Sequence, residues 1–174
     1  MKVIEQLLTS AGISPIAGVD EAGRGACAGP LVIASVVLND PFAPELAVVR
    51  DSKEIPESKR DAVFELIHQV AASVSVVIVP ASEVDARGVH AANLDGMRRA
   101  VQGLNVEPAY VLTDGYAIEG LGVPNLAVWK GDQVVVSISA ASVIAKVTRD
   151  RIMREMDTEF PQYGFAGHLS LIHI

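Results

Sequence analysis

The sequence is poor in cysteine, holding only Cys27. That excludes a disulfide framework within the chain, and a reducing compartment, the cytoplasm, is the expectation. Between Ala26 and Ala28 the thiol reads as a small buried residue rather than a reactive one. Basic charge is scarce too: 14 Lys and Arg against 21 Asp and Glu leave a net charge of −7. Bulk attraction to nucleic acid or anionic lipid is therefore excluded, and any polyanion must be met by local basic groups or by metal ions. A long apolar run is also missing. The stretch 26–38 is interrupted by Gly29-Pro30 and is well short of the roughly 20 residues of a membrane span. Glu5 falls where a signal peptide would carry its apolar run. There is no repeat, low-complexity tract or linker, so residues 1–174 read as one domain.

What is present is hydrophobic sequence, 50% of the chain, in short segments of alternating type. Residues 3–8 read as a short helix ended by Gly12 and Pro15. The run 16–19 reads as a strand delivering Asp20, and 31–38, rich in β-branched residues, as a second, buried strand, with a hairpin through the glycines between. Further strands are expected at 74–79, 110–113 and 125–129. After Pro56, Val63, Leu66, Ile67 and Val70 recur at the helical period, and Leu94, Met97, Val101 and Leu104 repeat it more weakly. A long helix is expected over 134–159, its first half small and apolar enough to lie close against a sheet. A hairpin followed by alternating strands and helices gives an α/β class with a mixed sheet.

The chemistry is written in carboxylates beside glycines at strand ends. Asp20-Glu21-Ala22-Gly23-Arg24-Gly25 follows the first strand directly. Adjacent strand residues point to opposite faces, so two acids serving one site require the chain to turn there, which Gly23 and Gly25 permit. Arg24 offers a planar fork for phosphate. Asp114-Gly115 repeats the arrangement after the fourth strand, and Gly131-Asp132 repeats it before the long helix. Each acid alone could be a turn former or a helix cap. Three such positions together suggest a hard-cation site, and oxygen donors without a His or Cys set favour magnesium or manganese over zinc.

The segments GVDEAGRGACAGPLVIASVVL, DSKEI, LTDG, WKGD, SISAASVIAKVTRDRIM and YGFAGH resemble, in order and spacing, those of bacterial ribonuclease HII, over about residues 16–168. The resemblance implies a ribonuclease H-like fold, a five-stranded mixed sheet flanked by helices. It implies an endonuclease that cuts the RNA strand of RNA–DNA hybrids and the 5′ side of a single ribonucleotide in duplex DNA, leaving 3′-hydroxyl and 5′-phosphate ends. Its catalytic and metal-binding carboxylates carry over onto Asp20, Glu21, Asp114 and Asp132, with two divalent cations, Mn2+ or Mg2+. Substrate contacts carry over onto Gly23, Arg24, Gly25, Lys53, Lys146 and Tyr163. The implied partners are the hybrid and ribonucleotide-containing duplex DNA, with no membrane and a monomeric protein.

Several residues carry two readings. Lys146 could pair with Asp150 one turn away, Asn93 reads as a helix cap or a local hydrogen-bonding residue, and Trp129 reads as core. His68 and His90 read as structural or surface residues. Two departures from the family stand out: Val134 replaces a basic residue, and 169–174 form an atypical apolar tail where relatives continue with Lys-Gly-Tyr-Gly. A hybrid-binding module silent in catalysis is the alternative that the tail raises. The related type 3 enzymes carry a lysine where this chain has Arg24, and an extra N-terminal domain where nineteen residues precede Asp20 here.

Overall fold

The structure, a computed structural model, describes residues 3–169. The elements in order are α1 (Val3–Ser10), β1 (Ile16–Ala22), β2 (Leu31–Leu38), α2 (Glu57–Val70), β3 (Ala71–Val79), α3 (Ala81–Arg87), α4 (Val89–Gln102), β4 (Tyr110–Asp114), β5 (Asn125–Val128), α5 (Gly131–Val134) and α6 (Val136–Glu159), with short 3₁₀ turns at Pro44–Val48, Pro161–Tyr163 and Phe165–Gly167. The five strands form one sheet in the order β3-β2-β1-β4-β5. β1 and β2 are antiparallel, as are β2 and β3, whereas β1–β4 and β4–β5 are parallel. The mixed sheet is thus a meander extended by two crossover strands. Among the described residues no helix is long and apolar enough to cross a membrane.

Side-chain alternation divides β2 between two cores. Every residue of β2 is buried. Its Val32, Ala34, Val36 and Leu38 pack with Val63 and Ile67 of α2 and with Ala140, Ala141 and Ile144 of α6. Its Leu31, Ile33 and Val37 face the other way, joining Ala17 and Val19 of β1 and Met97, Ala100 and Val101 of α4. A strand covered on both sides needs the unbroken β-branched run that the sequence supplies. The small first half of α6 does lie close to the sheet. At Gly18 of β1 a Cβ would stand 2.1 Å from the Ser137 carbonyl carbon, so only glycine admits the helix there.

Four expectations need correction. The expected turn at Asp20-Glu21 does not occur, since β1 runs on to Ala22 with Glu21 paired to Ile33. The helix expected over 134–159 is two helices, broken at Val135, whose backbone is extended. Trp129 is not core: it lies beyond the end of the edge strand β5 and is 82% exposed. Cys27 is exposed, because the loop 23–30 leaves the sheet before reaching it. Of the tail, residues 170–174 lie outside the described residues.

Candidate active site

Parallel pairing of β1 with β4 sets the C-terminal ends of the two strands side by side, and with them Asp20 and Asp114. The chain then returns along β5 and turns at Lys130, which adopts a left-handed conformation with φ 52°. That turn starts α5 and swings Asp132 toward the same point. The Gly131 amide donates to Asp114 Oδ1 at 2.7 Å, locking α5 onto the end of β4. A side chain at Gly131 would collide with Ile138 Cδ1 at 2.5 Å. One carboxylate oxygen from each of Asp20, Asp114 and Asp132 lies within 4.8 Å of the others.

Glu21 is set apart from this trio by the strand's alternation. Asp20 projects toward α6, where it faces Ser142. Glu21 projects toward α4, where it faces Asn93. Both still line one cavity of about 330 Å³, because they sit where β1 gives way to the glycine loop. The Glu21 amide donates to Asp20 Oδ1 at 2.8 Å, fixing the first carboxyl, while Glu21 Oε2 is buried without a partner.

Burial and mutual repulsion raise Asp20, Glu21 and Asp132 out of the ordinary carboxylate range. For Asp20, burial acts first, then the charges of Glu21 and Asp114, against the Ser142 hydroxyl and the Glu21 amide. Glu21 is pushed up to about 7, chiefly by burial and also by Asp114, while Arg24, Asn93 and Lys53 pull it back. Asp132 is raised to about 6 by burial, then by Asp51 and Asp114, with Lys53 opposing. So many carboxyls cannot all be charged here without a counter-cation. Clustered oxygen donors, one of them unpartnered, are a donor set that suits a hard divalent cation.

Of the other residues singled out in the sequence, Gly23, Arg24, Gly25, Lys53 and Lys146 line this cavity. Lys53 Nζ stands 4.0 Å from Asp132 Oδ2 with its side chain 75% exposed. Its neighbour Ser52 is bonded at 3.0 Å to Ser142, which ties the Asp51-Ser52-Lys53 segment to the residue that faces Asp20. Lys146 serves both of its readings: it pairs with Asp150 at 2.7 Å and borders the cavity. Tyr163 is not brought into the lining. It stands 61% exposed on the turn after α6, with its ring 5.5 Å from that of Phe165.

Two residues matter more than the sequence suggested. Arg149 is fully buried, donating from Nε to the Pro30 carbonyl at 3.0 Å and from Nη2 to Ala28 at 2.8 Å, so it staples the glycine loop to α6. Burial lowers its pKa. At Gly23, φ +102°, a Cβ would stand 2.3 Å from Arg149 Nε, which explains the glycine. Asn93 is fully buried in the interior of α4, not at its cap, and neither amide atom completes a hydrogen bond of good geometry although it faces Glu21. Asn93 falls on the buried face of α4 with Ala92, Gly96 and Met97, a placement that its own polarity does not announce.

A family model described as Ribonuclease HII matches residues 17–169. The ribonuclease HII of Acidothermus cellulolyticus is 56% identical over 164 residues, covering 94% of this chain and 53% of that protein. That of Mycobacterium avium is 53% identical over 168 residues, covering 97% and 73%. The chain thus spans about half the length of the first relative and nearly three quarters of the second. Among solved structures, ribonuclease H2 of Pyrococcus horikoshii superposes with a TM-score of 0.76 at 29% identity, over 86% of this chain and 78% of that one. The ribonuclease HII of Archaeoglobus fulgidus, solved in complex with PCNA, gives 0.76 at 27% identity, over 84% and 78%.

Proposed function

Because the chain belongs to the ribonuclease HII family, we propose that it is a metal-dependent endonuclease acting on the RNA strand of RNA–DNA hybrids and on the 5′ side of single ribonucleotides in duplex DNA. The observation that carries this reading is the meeting of three aspartates within 4.8 Å in a cavity shared with Glu21 and the Gly23-Arg24-Gly25 loop. Asp20, Glu21, Asp114 and Asp132 would hold two divalent cations, Mg2+ or Mn2+. Bound there, such cations supply an activated water and charge stabilisation for the leaving oxygen.

The chain's own groups do the rest. Asp20 and Asp114 each accept from a backbone amide, so their oxygens are fixed before substrate arrives. The glycine loop lets backbone approach the sugar, and a 2′-hydroxyl, both donor and acceptor, is what tells RNA from DNA there. Arg24 offers its fork to the adjoining phosphate, and Lys53 and Lys146 meet the backbone as point charges. Tyr163 is a junction contact by the family resemblance alone, since it lies outside the cavity lining. Phosphate contacts carry no base information, so sequence preference is slight.

The test is an end-labelled duplex with one ribonucleotide, beside an all-DNA duplex, in Mg2+ or Mn2+. Cleavage is expected on the 5′ side of the ribonucleotide only, leaving it at the new 5′ end. Asp114→Asn should fold yet lose about two orders of magnitude or more in turnover, since it removes a charged ligand from the reacting centre. Equal cutting of the all-DNA duplex would defeat the reading. Binding of the hybrid without cutting would instead favour the silent binding module.

A further inference from the structure

Arg24 is placed between two glycines, the first with φ +102°. A side chain there is positioned by what it rests on. Its guanidinium carbon lies 4.4 Å over the centre of the Tyr116 ring. The ring is in turn backed by His90 of α4, edge-on at 5.4 Å. The backbone of Tyr116 is fixed at both its polar groups. Its amide donates to the Asp114 carbonyl at 2.9 Å across Gly115, φ +71°, a γ-turn that suits glycine, and its carbonyl accepts from the Thr113 hydroxyl. The turn that ends β4 at Asp114 therefore also presents the ring beneath Arg24.

We propose that Tyr116 is a positioning residue for Arg24: its ring is a shelf that stacks the guanidinium face and leaves the N–H edge free for a sugar-phosphate acceptor. Arg24 Nε is buried without an acceptor, so the stack on the ring, and not a hydrogen bond from Nε, holds the group. Stacking on an aromatic face is a natural role for arginine and spares the fork that phosphate needs. The shelf also links the loop to the strand that carries Asp114. The inference rests on the reading of Arg24 as a substrate contact, and the two can fail separately.

The experiment compares Tyr116→Leu and Tyr116→Phe with the parent chain by two readouts. The first is the Nε–Hε NMR signal of Arg24, assigned by its loss in Arg24→Ala, which a ring beneath the guanidinium moves upfield. The second is kcat/KM on a duplex with one ribonucleotide. Tyr116→Leu should move the signal to the unstacked position and lower kcat/KM by about fivefold. Tyr116→Phe, which keeps the ring face, should preserve both. If Tyr116→Leu does not fold, Tyr116→Met serves the same comparison. A folded ring-less variant whose Arg24 signal stays in place would overturn the shelf. Parent-like cutting by Arg24→Ala, together with an Arg24 signal that Tyr116→Leu moves in the otherwise parent chain, would support the shelf and remove Arg24 from the substrate contacts.

Discussion

At the scale of single residues, the acids make the metal-free protein sensitive to pH in a definite direction. Glu21, at about 7, and Asp132, at about 6, lie above the ordinary values of 4.5 and 3.8. Between those limits the folded chain keeps protons that the unfolded chain has released. Stability from these groups is therefore full below about pH 4 and is lost as pH rises through 6 and 7. Asp20 is shifted the same way. With a chelator present, the melting temperature should fall between pH 5 and pH 7.5 by on the order of 5 °C from this source. Added Mg2+ should restore more at pH 7.5 than at pH 5, since cation binding competes with protons for the same oxygens. Thermal scans of the chelated protein and of Asp132→Asn check this, the variant showing the flatter profile; a chelated protein with equal melting temperatures at the two pH values would contradict it. The acids themselves were legible in the sequence, because glycine beside a carboxylate at a strand end is a local signal. The opposed directions of Asp20 and Glu21 were not, since they depend on β1 running past both. Trp129 and Cys27 were misjudged because residue type reports hydrophobicity, not distance from the sheet.

At the scale of elements, the N-terminus of α6 shows how a distant residue sets a boundary. Glu5 on α1 is 1% exposed, and its two oxygens accept from the Val136 amide at 2.9 Å and the Ser137 amide at 3.0 Å. A carboxylate there satisfies two orphan donors of the first turn and complements the helix dipole. The break at Val135 follows: α5 must turn Asp132 into the site, and α6 must begin afresh on Glu5. Replacing Glu5 by Ala leaves buried amides unpaired and should cost about 2–3 kcal/mol. For a chain of this size that lowers the melting temperature by roughly 5–10 °C, with Glu5→Gln falling between. An unchanged melting curve for Glu5→Ala would mean that the cap contributes nothing. The strands were legible: β2 from its unbroken β-branched run, β4 and β5 from apolar runs bounded by glycine and proline. The split of 134–159 was not, because the partner that decides it lies 131 residues away and no local pattern announces it.

At the scale of the whole molecule, a net charge of −7 means that the proposed function requires a polyanion to be engaged through few contacts. Of the basic side chains lining the cavity, Lys146 is already paired with Asp150, and Arg24 lies on Tyr116 beside Glu21. Lys53 is the freest: it is largely exposed and only 4.0 Å from Asp132, at the lip of the acidic centre. A lysine in that position offsets the repulsion between the carboxylates and an approaching phosphate, and on contact it releases condensed counterions. Each phosphate neutralised steepens the fall of log K with log salt by about 0.7–0.9. Lys53→Ala should therefore weaken binding of hybrid and of ribonucleotide-containing duplex alike, and lower the salt slope by about 1. The measurement is titration of an RNA–DNA hybrid at several monovalent salt concentrations, with Ca2+ held constant in place of the catalytic cation. Weaker binding with an unchanged slope would mean that Lys53 acts only on the charge of Asp132 and touches no phosphate. A reduced slope with Mg2+ turnover otherwise intact at saturating substrate would place it on the backbone, outside the chemistry proposed for the carboxylates.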